Sequence, residues 1–89
     1  MKSFVTVLGN DKVGIIHEVT SVLSKNNVNI LDINQTLLEG YFTMVMLVDL
    51  SKMQVDFIEL KDKLENKAKE LEVSIKLQRA DIFNSMYKI

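Results

Sequence analysis

Between Phe42 and Leu50 every even position is apolar (Phe42, Met44, Met46, Val48, Leu50), while the odd positions include Thr43 and Asp49. A period of two over such a stretch is a strand with one face in a core and the other mixed. A half-buried strand cannot stand alone: it needs paired neighbours and a second layer over its apolar face. The rest of the chain supplies both. Phe4-Val5-Thr6-Val7-Leu8 is short and β-branched, and Gly9 ends it, which predicts a first strand. Val28 to Leu38 predicts a second, joined to the strand from Tyr41 to Leu50 by Glu39-Gly40, a two-residue hairpin turn. At Ile30-Leu31-Asp32-Ile33 the second strand is apolar on both parities, which predicts that both of its faces are covered there. Val73, Ile75 and Leu77 alternate with Ser74, Lys76 and Gln78 and predict a fourth strand.

Two stretches switch to spacings of three and four. Ile15, Ile16, Val19, Val22 and Leu23 make one helical face, with Asp11 placed to cap its start and Asn26-Asn27 to end it. Phe57, Leu60, Leu64, Ala68 and Leu71 make another, with Ser51 as its cap and Asp56 nearby. Its charged outer face predicts local ion pairs such as Glu59–Lys63 and Glu65–Lys69. The order βαββαβ implies an α+β, ferredoxin-like sandwich: a four-stranded antiparallel sheet with two helices on one face. Asp81 then opens a tail whose Ile82, Phe83, Met86 and Tyr87 share one side, which predicts a short C-terminal helix. The expected organisation is one domain over 1–89, with a βαββαβ core over 1–79 and a tail helix over 80–89. So apolar a tail face needs a cover, either the open face of the sheet or another subunit. A lone domain of this size is only marginally stable, and a dimer interface would help it.

Composition removes several classes of function. With 11 basic and 12 acidic residues and a net charge of −1, no basic excess exists to neutralise phosphates, so nucleic-acid binding is not expected. Cysteine is absent, which excludes disulfides, thiolate nucleophiles and cysteine metal sites, and suits a reducing cytoplasm. The start is no signal peptide, and the longest apolar run, Met44 to Val48, is too short to span a bilayer. One histidine and one arginine leave little for catalysis. No acid, histidine and cysteine cluster points to a metal, and no cofactor is expected.

The candidate binding feature is Gly9-Asn10-Asp11-Lys12-Val13-Gly14, a turn that leads from a strand into a helix. Free N–H groups at a helix start attract anions, and glycines let a ligand approach the backbone. A Walker A loop and a Gly-x-Gly-x-x-Gly dinucleotide loop are both excluded by the spacing. The competing reading is a plain turn in which Gly14 only permits close packing. Asn29 and Asn34 sit in or beside a strand, where asparagine is disfavoured. Asn29 reads equally as a group aimed at a ligand or as the exit of the Asn26-Asn27 bend. His17 is expected on the rim of the first helix, and neither Thr20 nor Ser21 has a histidine–acid pair to activate it. Asp32 is expected on the mixed side of the sheet or at a subunit boundary, and Met44 and Met46 in the core.

From Thr6 to Ile16, and again at Asn27-Val28-Asn29-Ile30, the chain resembles the ACT domain, the small-molecule-binding regulatory module of many enzymes of amino-acid metabolism. The residues that carry the resemblance are Asp11-x-x-Gly14-Ile15-Ile16, opening the first helix, and Val28-Asn29-Ile30, opening the second strand. The likeness covers Phe4 to Gln78. The tail from Asp81 to Met86 is similar to that of short stand-alone ACT proteins related to the glycine-cleavage repressor. The resemblance implies a homodimer in which the second strands and first helices of two copies meet, with an amino acid at the seam. The implied ligand contacts are Gly9, Asn10, Asp11, Val13, Gly14 and Ile15 from one copy and Asn29 and Ile30 from its neighbour. The N–H groups of Gly14 and Ile15 would hold the ligand carboxylate, and Asp11 its ammonium. Phosphoglycerate dehydrogenase's serine-binding domain has a histidine and an asparagine where this chain has Gly9 and Asp11, so serine specificity does not carry over.

The expectation is therefore a non-enzymatic, cytoplasmic sensor that binds an amino acid as a homodimer and allosterically regulates a partner protein. The alternative is a structural dimerisation or protein-interaction module with no ligand. Enzymes and carriers of the same fold lack their residues here. The only arginine is Arg79, far from the turn where an acylphosphatase needs one; there is no Cys-x-x-Cys for copper; and Phe4 and Phe42 lack the basic surround of an RNA-binding sheet.

Overall fold

A computed structural model describes residues 1–10 and 14–81. The elements run β1 (Lys2–Asn10), α1 (Ile15–Lys25), β2 (Asn29–Leu38), β3 (Tyr41–Asp49), α2 (Phe57–Leu71) and β4 (Ser74–Arg79). The strands lie in the order β2-β3-β1-β4, and every neighbouring pair is antiparallel. This is the ferredoxin-like sandwich that the periodicities predict. Of the tail helix expected over 80–89, only Ala80 and Asp81 are described, and the rest lies outside the described residues.

The alternation decides which face is buried. Val5 and Val7 of β1, Phe42, Met44, Met46 and Val48 of β3, and Ile75 and Leu77 of β4 join one core with Ile15, Val19 and Leu23 of α1 and Leu60, Leu64 and Ala68 of α2. The hairpin between β2 and β3 forms as expected. Glu39 (φ 51°) and Gly40 (φ 82°) both take positive φ, which the mirror-image hairpin turn requires. Asn27 (φ 61°) ends α1 in the left-handed region. The Val28 N–H then donates back to the Leu23 carbonyl at 3.0 Å, closing the helix end over two buried side chains.

Several local expectations are corrected. The N-cap of α1 is Gly14 (φ 92°), not Asp11, which is outside the described residues. The N-cap of α2 is Asp56, whose Oδ1 accepts the Glu59 N–H at 2.8 Å; the Ser51 N–H donates instead to Asp49 Oδ1 at 2.9 Å. Glu59–Lys63 and Glu65–Lys69 do not pair. Lys67 instead bridges Glu70 at 3.0 Å and Glu18 of α1 at 3.3 Å, tying the helices together. Its contact with Glu70, reinforced by Glu18, holds the Lys67 ammonium above the usual lysine range. Ile16 is exposed on α1 rather than part of its core face.

The largest departure is in β2. Ile30 pairs with Val48 and Asp32 with Leu47, so Leu31 is the extra residue of a β-bulge. The bulge shifts the parity by one: Ile30 faces as Val48 does, and Ile33 and Leu37, opposite Met46 and Phe42, return to that same face. This explains the apolar residues on both parities without a double cover. Leu31 (43% exposed), Ile33 (39%) and Leu37 (59%) in fact lie open on β2, an outer strand of which, among the described residues, only Ile30 packs against the core.

Candidate functional site

β1 runs past the expected end at Gly9, so Gly9 and Asn10 are its last residues, paired with Phe42 and Tyr41; Gly14 leads into α1 at Ile15, and Asp11 and Val13 lie outside the described residues. Its two glycines do different things. A Cβ on Gly9 would stand 2.6 Å from Val73 Cγ1, so Gly9 is needed for the close approach of the segment leading into β4. Gly14 has φ 92° and open space where its Cβ would be, so its backbone is accessible to a small molecule. The first intrahelical bond runs from the Glu18 N–H to the Gly14 carbonyl at 2.9 Å. The N–H groups of Ile15, Ile16 and His17 therefore have no partner within the helix, and the positive end of the helix dipole lies there. The Ile15 side chain is buried in the core, so only its backbone can meet a ligand.

Asn29 and Ile30 lie elsewhere. Asn29 is opposite Asp49, which is opposite Lys2, whereas Asn10 is opposite Tyr41, which pairs with Leu38. The two sets of candidate residues are thus at opposite ends of the sheet, about 26 Å apart along the strands. Within one chain they form no single site.

Around Asn29 the structure has a cavity of about 680 Å³ lined by Ser24, Asn27, Val28, Asn29, Ile30, Asp49, Ser51 and Lys52. A second groove of about 420 Å³ adjoins it through Ser24 and Ile30 and continues along α1 past His17, Thr20, Ser21 and Lys25. The Thr20 hydroxyl is turned back onto its own helix, donating to the Ile16 carbonyl at 2.8 Å. Asp49 is held below the usual carboxylate range, first by the Ser51 N–H and hydroxyl that donate to it, then by the terminal ammonium of Met1, 3.9 Å away, and by Lys2. Sequence reading reached Asn29 but missed Asp49, which the β2–β3 pairing sets opposite it, and Ser51 and Lys52 in the loop that follows. Among the described residues no group of three or more acids, histidines or cysteines is placed to hold a metal, and no helix is long and apolar enough to cross a membrane.

The arrangement defines a ferredoxin-like domain with an accessible helix start at one end and a polar cavity at the other, both beside an uncovered outer strand. A family model for the ACT domain matches residues 4–78, and the chain belongs to that family. The family is one of regulatory ligand-binding domains. A UPF0237 protein of Clostridium acetobutylicum is 53% identical over the full length of both chains. A UPF0237 protein of Methanocaldococcus jannaschii is 47% identical over 96% of this chain and 94% of its own. The solved ACT domain protein from Streptococcus pneumoniae superposes with a TM-score of 0.82 at 41% identity, covering 93% of each chain.

Proposed function

We propose that the protein is a non-enzymatic, cytoplasmic sensor: a homodimer that binds an amino acid at its interface and regulates a partner protein. The observation that carries this reading is the uncovered side made by β2 and α1. There Leu31, Ile33 and Leu37 of an outermost strand and Ile16 of α1 are all exposed. An open edge with apolar side chains is a template for a second strand. Antiparallel pairing of β2 with its copy about a twofold axis brings the partner subunit's first β2 residues to the Gly9–Gly14 end of this chain. Two half-sites that lie far apart in one chain then meet across the interface, with the ligand carboxylate on the Gly14 and Ile15 N–H groups, its ammonium on Asp11, and the neighbour's Asn29 and Ile30 against it. A ligand that touches both copies favours the dimer over the monomer, so occupancy shifts assembly and can be passed to a partner protein.

The test has two arms. Sedimentation should give a dimer that Leu37→Lys converts to monomer. Melting against free amino acids at millimolar concentration should give a selective rise of roughly 5–10 °C near ten times the dissociation constant, and Asn29→Ala should abolish it. The fit of Gly9 against Val73 favours a second reading, a dimerisation module whose turn is only packed. A stable dimer that no amino acid shifts would select that reading.

A further inference from the structure

We propose that the cavity at the Asn29 end of β2 receives an anionic group of the ligand, on the Lys52 ammonium with the Asn29 amide and the Ser24 hydroxyl, which makes the ligand an amino acid with a carboxylate side chain. This rests on the amino-acid sensor reading and specifies its substrate class.

The walls of the cavity are fixed in advance. The Asn27 side-chain amide donates to the Lys52 carbonyl at 2.8 Å, and the Gln54 N–H donates to the Asn26 carbonyl at 3.3 Å. The Met53 N–H closes the same loop on Leu50 at 3.0 Å. The turn after α1 and the loop after β3 are thus strapped together, and a ligand would not have to order them. Within these walls the charges do not balance. Asp49 is the one acid in the lining, and it is already answered by the Met1 ammonium, by Lys2 and by the donors of Ser51. Lys52 forms no ion pair among the described residues, and neither does Lys25 in the adjoining groove. The Asn29 side chain makes no hydrogen bond there either, so its N–H donors are available. What remains is a lysine and an amide facing a cavity roomy enough for a small ligand, a combination that matches a carboxylate in charge and in hydrogen bonding. The main-chain ends of the same ligand go to the other half-site, the helix start of the facing copy.

The experiment compares sodium L-glutamate and L-aspartate with L-glutamine and L-asparagine at constant ionic strength, by thermal shift and calorimetry on the full chain. Expected is selective binding of one acidic amino acid, roughly two- to fivefold tighter than its amide. Lys52→Gln should remove that preference and Lys52→Arg restore most of it, both with an unliganded melting temperature like that of the parent. If a neutral amino acid binds as well as its acidic counterpart, and Lys52→Gln leaves the shift intact while Asn29→Ala removes it, the anion assignment falls and the sensor reading stands. An equal shift with inorganic phosphate alone marks an adventitious ion only and overturns the assignment. No response to any amino acid overturns both.

Discussion

The chain folds as two βαβ halves, β1-α1-β2 and β3-α2-β4, and the halves end differently. The second is closed. Asp56 caps α2, Ile75 and Leu77 of β4 are buried, and β4 has only six residues, with Ser74 and Lys76 on its outward side. The first is open. Gly14 brings no side chain to the start of α1, and β2 presents ten residues along the sheet edge, among them three exposed aliphatic side chains. Both are edge strands of the same sheet, so the difference is not topological. Among the described residues one half buries its strand against the chain's own core, and the other leaves aliphatic side chains exposed. Apart from Lys52, which the loop after β3 supplies, every candidate ligand contact falls in the open half.

The sharpest way to break this comparison is to truncate one leucine on each side. Leu64→Ala should cost about 3 kcal/mol, because a fully buried side chain leaves a cavity. Leu37→Ala should cost less than about 0.5 kcal/mol at protein concentrations low enough to favour monomer. Urea denaturation reads both, and equal losses would mean that β2 is already covered. Next in size, Gly9→Ala should destabilise by about 2 kcal/mol through its clash with Val73, and Val73→Ala in the same chain should recover part of that. A Gly9→Ala variant with parental stability but no ligand response would instead make Gly9 a ligand contact.

A cap belongs to the closed half, so Asp56→Ala should cost about 1 kcal/mol in the same titration. The smallest effect is that of pH. The Asp49 pKa is lowered on folding, so its contribution is present above its unfolded value and is lost as pH falls through the lower, folded one. The Lys67 pKa is raised, so its contribution is present below its unfolded value and is lost as pH rises through the higher, folded one. The melting temperature should thus be flat from these two groups between about pH 5 and 9. It should decline on the acid side less in Asp49→Asn and on the alkaline side less in Lys67→Met.

Most of the fold was legible because strict alternation and three-four spacing report directly on burial. The hairpin at Glu39-Gly40, the helix end at Asn27, and the core positions of β3 all follow from local residue types. What was not legible depends on distant partners. Leu31 is apolar, and nothing within the strand says that it is a bulge; only the pairing of its neighbours Ile30 and Asp32 with Val48 and Leu47 does. Lys67 has acids at ordinary helical spacing, yet its partner across the helix seam is Glu18. Ile16 sits at a spacing that suits the core, but the buried stripe of α1 runs through Ile15, Val19 and Leu23 and leaves Ile16 on its flank. For the site, the turn and Asn29 were found from residue type and resemblance. The cavity itself was not, since residues 24–30 and 49–52 are neighbours only through the sheet.

The short, charge-bearing β4 edge has one more consequence. Counted as a building block, the described residues have a valence of one: among them β2 is the one long strand edge with apolar side chains, and β4 is a second edge too short and polar to serve as another. Units with two such edges polymerise, as stacked strands do in fibres. In the dimer proposed above each copy would use up the other's edge, so growth through β2 would stop at two chains whatever the protein concentration.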